Sequence, residues 1–389
     1  MKNFVYDIKT KVYFGKGQLD NLGEELSHYG KNVLLTYGGG SIKRNGIYDK
    51  VLSEAKKYDL NVFELGGIDP NPRITSVKQG ATICKENNID VVLAVGGGSV
   101  IDCSKFICAN AKDDVKDPWD YFIGKAKVTS ALPLVTVITL AATGSEMDIT
   151  GVLSNEEQKL KLNASDPILR PKASFLDPTL TYTVSKYQTA CGSADILSHV
   201  IELYFNLSAD FFMLRRIMES LMKTVIKYGP IALEKPEDYE ARANLMWAAS
   251  WAINGFLRAG DRISWSAHPI EHELSAIYDI THGLGLAILT PKWMKFALND
   301  KTLPIYVEYG KNVFDIDPSL DDYEIANKAI EKTADFFYKD LGLDDNLTKI
   351  GVKEEDFPLM AKRACKDGVL NAFVPLDQKA IEEILQMCK

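Results

Sequence analysis

Three of the chain's five histidines fall within fifteen residues, in HPIEHELSAIYDITH at 268–282. Imidazole is the commonest metal-ligating side chain, and it titrates near neutrality without help from its surroundings. Such a cluster therefore points to a metal centre or a proton relay. His268 and His272 are four residues apart, as are Asp195 and His199 in ADILSHV, so on a helix each pair shares one face. His282 follows ten residues after His272. His28, alone in LSHYG, reads as a surface residue.

Two metal chemistries fit these residues. HPIEH matches H-x-x-E-H, the inverted metallopeptidase motif, in which Glu271 would be the general base. HELSA does not extend it to H-E-x-x-H, because Ala276 stands where the second histidine belongs, and Pro269 sits inside the motif. The other chemistry is a four-ligand site of Asp195, His199, His268 and His282, with His272 one turn from a ligand. One carboxylate and three neutral imidazoles suit a first-row divalent ion such as Fe²⁺ or Zn²⁺, and this is the preferred reading.

A second kind of chemistry is written in glycine. In VVLAVGGGSVIDCSKFICAN (91–110) a buried strand delivers Gly96, Gly97, Gly98 and Ser99 to the start of a helix, with Asp102 one turn in. Glycine lets backbone amides approach a ligand, and a helix N-terminus offers unpaired N–H groups to a pyrophosphate. A tight unliganded turn accounts for the same letters equally well. The earlier loop, LLTYGGGSIKRNG (34–46), puts Gly38, Gly39, Gly40, Ser41 and Lys43 where NAD-using enzymes commonly place a carboxylate for the ribose 2′-OH. With a hydroxyl and a cation in place of that carboxylate, the loop is expected to prefer NADP(H), with NAD(H) still possible.

The elements that must carry these groups change character along the chain. Up to about residue 184, β-rich runs (VLLTY, NVFEL, VVLAV, LPLVTVITL, KASFL) alternate with helical patterns, the rhythm of βαβ units and a mainly parallel sheet. Beyond it, TACGSADILSHVIELYFN, DFFMLRRIMESLMKTVIKYG, PEDYEARANLMWAASWAINGF and YEIANKAIEKTADFFYKDLGL carry apolar residues at helical spacing. The pattern predicts an α/β Rossmann-like domain over 1–184 and an all-helical, metal-binding domain over 185–389.

Composition excludes several classes. Lysine and arginine total 45 against 53 acidic residues, for a net charge of −8, so no nucleic-acid surface is expected. No apolar run reaches membrane-spanning length and the opening MKNFVYDIKTKVYFGKG lacks a signal-peptide core, so a cytoplasmic location is expected. Six scattered cysteines without a C-x-x-C pair read as reduced, partly buried thiols.

DPNPR, VGGGSVID, TLAATGSEMD, DPTLTYTVSKYQTACGSADILSHVIE and HPIEHELSAIYDITHGLGLA, in this order, resemble the iron-dependent (group III) alcohol dehydrogenases, and within them the butanol dehydrogenase branch. The likeness spans nearly the whole chain. It implies the dehydroquinate synthase-like fold, a Rossmann-like domain followed by a helical one, with the active site in the cleft between them. It also implies metal ligation by Asp195, His199, His268 and His282, and a place near the nicotinamide for His272. Gly97, Gly98 and Ser99 match the family's pyrophosphate loop, while Asn71, Asp102, Thr139, Thr143 and Lys161 match positions lining the cofactor cleft. GGGS at 38–41 is similar to the loop of NADPH-using members. Relatives of this kind are often homodimers. Glycerol dehydrogenases share the fold with fewer histidines at the metal, and dehydroquinate synthases carry a glutamate where this chain has Asp195.

The chemistry so implied is reversible hydride transfer between an alcohol carbon and a nicotinamide, with a divalent cation as Lewis acid at the reacting oxygen. His272 has two roles open to it, outward proton relay or a stacking position beside the nicotinamide. MWAASWAINGF (246–256) and Trp265 offer an apolar pocket, which favours short aliphatic primary alcohols and aldehydes over polyols. Helix packing is the other use for the same tryptophans.

Overall fold

The computed structural model describes residues 3–207, 211–258, 260, 263–366 and 368–389. The chain divides into two compact units, one of Asp7–Val184 with Pro236–Asn254, the other of Met1–Tyr6, Ser185–Lys235 and Gly255–Lys389.

The first unit is built on strands β1 (Lys11–Phe14), β2 (Asn32–Tyr37), β3 (Asn61–Leu65), β4 (Val91–Gly96) and β5 (Leu134–Ile138), then a hairpin of β6 (Thr150–Asn155) and β7 (Leu160–Ser165), then β8 (Ala173–Leu176). Six of them form one sheet in the order β1-β8-β5-β4-β2-β3, with every neighbouring pair parallel. Strands β4, β5 and β8 are buried throughout and β2 nearly so, as a parallel sheet covered on both faces requires. Alternate residues divide the core. Val33, Leu35, Val91, Leu93, Val95 and Phe175 face one layer. Leu34, Val92, Ala94, Leu134 and Leu176 face the other.

Helices α1 (Leu22–Ser27), α2 (Ser41–Arg44), α3 (Ile47–Lys57), α4 (Ile74–Glu86) and α5 (Gly98–Lys112) connect the strands. The connection out of β2 leads outward to β3, and the chain then returns to β4 on the other side of β2. The order reverses there, and Tyr37 and Val95, at the carboxyl ends of β2 and β4, are register partners. Both glycine loops leave from this edge, where open α/β sheets bind their ligands.

The second unit contains α6 (Lys186–Asn206) and α7 (Phe212–Glu234). The next helix, α8 (Tyr239–Ile253), departs from the expected boundary. It belongs to the first unit, where Met246 joins the core and Ser250 Oγ bonds Glu146. Then follow α9 (Ala267–Tyr278), α10 (His282–Ala297), α11 (Leu303–Phe314), α12 (Asp322–Asp335), α13 (Phe357–Ala364) and α14 (Gln378–Met387). Among its described residues the only strands are an antiparallel pair, Leu370–Asn371 with Pro375–Leu376. All six cysteines are buried free thiols. Among the described residues no helix is long and apolar enough to cross a membrane.

Candidate metal centre and nucleotide loops

Helix α6 is capped by Ser185, whose hydroxyl accepts the Gln188 N–H at 3.2 Å, and it is buried from Thr189 to Phe205. Polar side chains inside such a helix need partners. Asp195, His199 and Glu202 stand at i, i+4 and i+7 and so form one stripe along it. His199 Nδ1 lies 3.4 Å from Asp195 Oδ1. Glu202, fully buried, reaches the start of α9. One of its oxygens accepts the N–H groups of Ser266 and Ala267; the other accepts the N–H of His268 and faces its Nδ1 at 2.5 Å. A carboxylate from one helix thus satisfies the open first turn of another, a position also favoured by the helix dipole.

Helix α9 ends at Asp279 in the left-handed region (φ 52°), and α10 begins three residues later at His282. This tight return brings His282 back beside α9, where its Nδ1 pairs with fully buried Glu271. Glu271 also accepts from Ser275 Oγ.

Asp195, His268 and His282 each present a ligand atom within 4.8 Å of the others. His282 Nε2 is 3.8 Å from Asp195 Oδ1. His199 stacks on His268, with ring centres 4.6 Å apart and planes inclined by 19°. Burial, reinforced by the neighbouring His268 and His282, drives the His199 imidazole well below its usual range and keeps it neutral. Burial opposes a charge on His268 as well, but the Glu202 carboxylate outweighs it and raises that group. Among the described residues His268 Nε2 and His199 Nδ1 are buried without hydrogen-bond partners. Buried imidazole lone pairs beside one carboxylate suit a divalent cation. His272 lies 5.7 Å from His282, ring centre to ring centre. Trp265 packs on two of the rings, 4.7 Å from His268 and 5.7 Å from His199. His28 is exposed at the end of α1.

Glu271 is tied to His282 and Ser275 rather than held ready for a water molecule, so its place does not favour the peptidase chemistry. Its neighbour Glu273 is 5% exposed, with Oε2 3.8 Å from Arg363 Nη1 and, among the described residues, without a hydrogen-bond partner. Burial lifts its carboxyl from 4.5 to about 7 against the pull of Arg363. Between these values the folded protein holds a proton that the unfolded chain has released, so stability falls as pH rises through that window and levels off above it. Glu273→Gln is expected to flatten this dependence and to stabilise the protein by about 1–2 kcal/mol at pH 8, the lost attraction to Arg363 offsetting part of the gain. Thermal unfolding of both proteins at pH 5 and pH 8 checks this; an unchanged pH profile in the variant would count against it.

In the first unit, Gly97 caps α5 in an extended conformation and no side chain occupies the cap, which leaves the first amides of the helix open to an anion. Gly98 is needed for packing: a Cβ there would lie 2.2 Å from Thr143 Oγ1. Thr139 follows β5 and bonds through its N–H to Gly96 O at 3.0 Å. Asn71, with φ 51°, accepts from buried Lys161 Nζ at 2.8 Å, so these two distant residues form one polar unit. Asp102 bonds to other groups. It is turned inward, with one oxygen accepting from Ser145 Oγ and the other from the Val152 N–H at 2.9 Å. Gly38–Ser41 lies at least partly open at the end of β2, and a Cβ on Gly39 would meet nothing within 4 Å. Lys43 Nζ faces the rings of Tyr37 and Tyr48 and lies 3.4 Å from Glu64.

Sequence comparison decides the family. The model for iron-containing alcohol dehydrogenase matches residues 9–178, and that for the Fe-containing alcohol dehydrogenase family C-terminal region matches 189–388. The chain belongs to the iron-containing alcohol dehydrogenase family. It is 51% identical to NADH-dependent butanol dehydrogenase B of Clostridium acetobutylicum, over 100% of this chain and 99% of that one. It is 36% identical to NADPH-dependent aldehyde reductase YqhD of Escherichia coli, over 95% and 94%. The crystal structure of NADH-dependent butanol dehydrogenase A from Thermotoga maritima superimposes with a TM-score of 0.94 at 38% identity, covering 100% of this chain and 99% of that one. As a member of this family the protein is an alcohol dehydrogenase, an oxidoreductase with an Asp/His metal site. The six-stranded parallel α/β domain and the helical C-terminal domain match those of its relatives.

Proposed function

We propose that the protein interconverts short aliphatic primary alcohols and aldehydes of the butanol and butyraldehyde type, using a nicotinamide dinucleotide and one divalent ion, Fe²⁺ or Zn²⁺. The observation that carries this is the convergence of Asp195, His268 and His282 within 4.8 Å, with the buried Nε2 of His268 lacking a partner. The names of the relatives from Clostridium and Escherichia support the substrate class. Asp195, His268 and His282, with His199 beside them as the fourth ligand, would hold a divalent ion, which would supply a Lewis acid for the reacting oxygen.

The protein's own groups do the rest. Asp195 supplies the anionic ligand. Trp265 packs against His199 and His268 and shields their rings from water. We assign proton transfer through its imidazole nitrogens to His272, whose ring lies beside that of His282. The open amides at Gly98 and Ser99, with Gly96 and Gly97, take the pyrophosphate. Thr139, Thr143 and the Asn71–Lys161 pair would line the dinucleotide's path, and Asp102 braces α5 from within.

The Gly38–Ser41 loop has room for a 2′-phosphate and carries no carboxylate to repel one. Lys43 shares its charge with Glu64, which reduces the advantage. We therefore expect NADPH to be preferred only modestly, by about threefold to tenfold in kcat/KM, or up to about 1.4 kcal/mol. The test is butyraldehyde reduction with each nicotinamide on protein of measured metal content. Turnover that scales with bound metal supports the proposal, and turnover in metal-free protein overturns it. A preference for NADH would overturn the assignment of the loop alone.

A further inference from the structure

Two carboxylates outside the ligand set stand behind two of the converging histidines. Glu202 and Glu271 are each fully buried, on α6 and α9. Glu202 Oε1 faces His268 Nδ1 at 2.5 Å, and Glu271 Oε2 pairs with His282 Nδ1. An ionised carboxylate only accepts, so the ring nitrogen facing it must carry the proton. In both rings this leaves the lone pair on Nε2. Among the described residues His268 Nε2 is buried without a hydrogen-bond partner, and His282 Nε2 lies 3.8 Å from Asp195 Oδ1. Both carboxylates thus select the tautomer that aims a lone pair at the same centre.

We propose that Glu202 and Glu271 are positioning residues for the metal centre, each fixing one histidine in the orientation and tautomer that offers Nε2 to the cation. The inference rests on the metal reading above and extends it from the ligands to what holds them. Such outer partners set ligand basicity and ring orientation, and their loss typically weakens metal binding by about 10–100-fold. Glu271 also lies within 4.8 Å of His272 and His282 in a second group of possible ligand atoms. Its oxygens, however, already meet His282 Nδ1 and Ser275 Oγ, which marks it as a supporting group.

The two carboxylates differ in what else they hold. Glu202 also caps the first turn of α9, so its removal would disturb folding and metal binding together. Glu271 makes the cleaner test. Full-length wild type, Glu271→Ala and Glu271→Gln, freed of metal, are compared by chelator competition for Zn²⁺ without nicotinamide or substrate, alongside their thermal unfolding. Glu271→Ala is expected to lose about 10–100-fold in zinc affinity. Glu271→Gln, which keeps an amide oxygen for Nδ1–H, is expected to recover most of it. An alanine variant that binds zinc within about threefold of wild type overturns the role assigned to Glu271, because removing the carboxylate that holds His282 would then leave metal binding unchanged.

Nitrogen-15 spectra of histidine-labelled, zinc-loaded wild type supply a measurement that does not depend on the variants folding. Proton-bearing Nδ1 and metal-bound Nε2 at His268 and His282 support the proposal, and the reverse tautomer at either overturns it. Wild type that takes up no zinc overturns the metal reading itself, and this one with it. Wild type that binds zinc while the alanine variant binds it equally well overturns only the role of Glu271.

Discussion

Asp195→Ala is expected to lower butyraldehyde reduction by roughly 10³-fold or more while leaving the fold in place. Asp195 is the one carboxylate in the converging set and is 3% exposed on the buried face of α6. Without it a divalent ion would meet imidazoles alone, with no formal negative charge to balance it. Stabilisation of the reacting oxygen by a cation amounts to several kcal/mol, and about 4 kcal/mol corresponds to a thousandfold in rate. Alanine is the best helix former, and the site lies in the interior of a 21-residue helix whose packing comes mainly from other side chains. The deletion should therefore appear in metal content and kcat far more than in the unfolding temperature. Steady-state kinetics with metal analysis on the same sample checks it. A variant that keeps stoichiometric metal and more than about a tenth of wild-type turnover, a loss under about 1.4 kcal/mol, would remove Asp195 from the centre.

The parts of this arrangement that could be read in advance share a physical reason. Strands β2, β4 and β5 announce themselves because burial on both faces demands continuous apolar runs, and glycine marks where β2 and β4 end. Strand β1, KVYF, carries no such mark. It is a strand because Lys11–Phe14 pairs with Ala173–Leu176, about 160 residues away, and local sequence cannot express a distant partner. Helix α8 is rich in alanine and apolar on most of its surface, so periodicity announced the helix without saying which unit it would join.

At the metal centre the spacing of Asp195 with His199, and the histidine block that follows, were legible because few other uses explain so much imidazole. The contacts of Glu202 and Glu271 with the histidines were not, since a glutamate in a helix is usually solvated and Glu271 reads only as a peptidase base. Their signal was present all the same: Glu202 continues the Asp195–His199 stripe at i+7, and Glu271 stands at i+3 from His268. Asp102 shows the opposite effect. One turn beyond a glycine loop it reads as a cofactor contact, and local sequence carries no sign of the hydrogen bonds that its acid makes with Ser145 and Val152 inside the buried α5 layer.

Gly283→Ala is expected to destabilise the protein by about 3 kcal/mol or more and to loosen the metal centre with it. A Cβ at this position would lie 2.0 Å from Cys191 O, 2.6 Å from its carbonyl carbon and 3.0 Å from its Cα. All three are backbone atoms of α6, so no side chain can rotate aside, and α10 must move away to restore contacts nearer 3.5 Å. Overpacking of this kind commonly costs about 1–3 kcal/mol, and more where the opposing surface is main chain. The damage falls at the site because Cys191 is one turn before Asp195, and Gly283 directly follows His282. Moving the start of α10 separates His282 from both Asp195 and Glu271, the contacts at either end of its ring. Denaturant unfolding of the metal-free protein, with zinc affinity measured on the same preparations, tests both effects. Gly39→Ala provides the contrast, because its new methyl would meet nothing within 4 Å and should change stability by no more than about 0.5 kcal/mol. If Gly283→Ala were as stable as Gly39→Ala, α6 and α10 could not be in main-chain contact at this crossing, and His282 would owe its position to something other than the packing of these two helices.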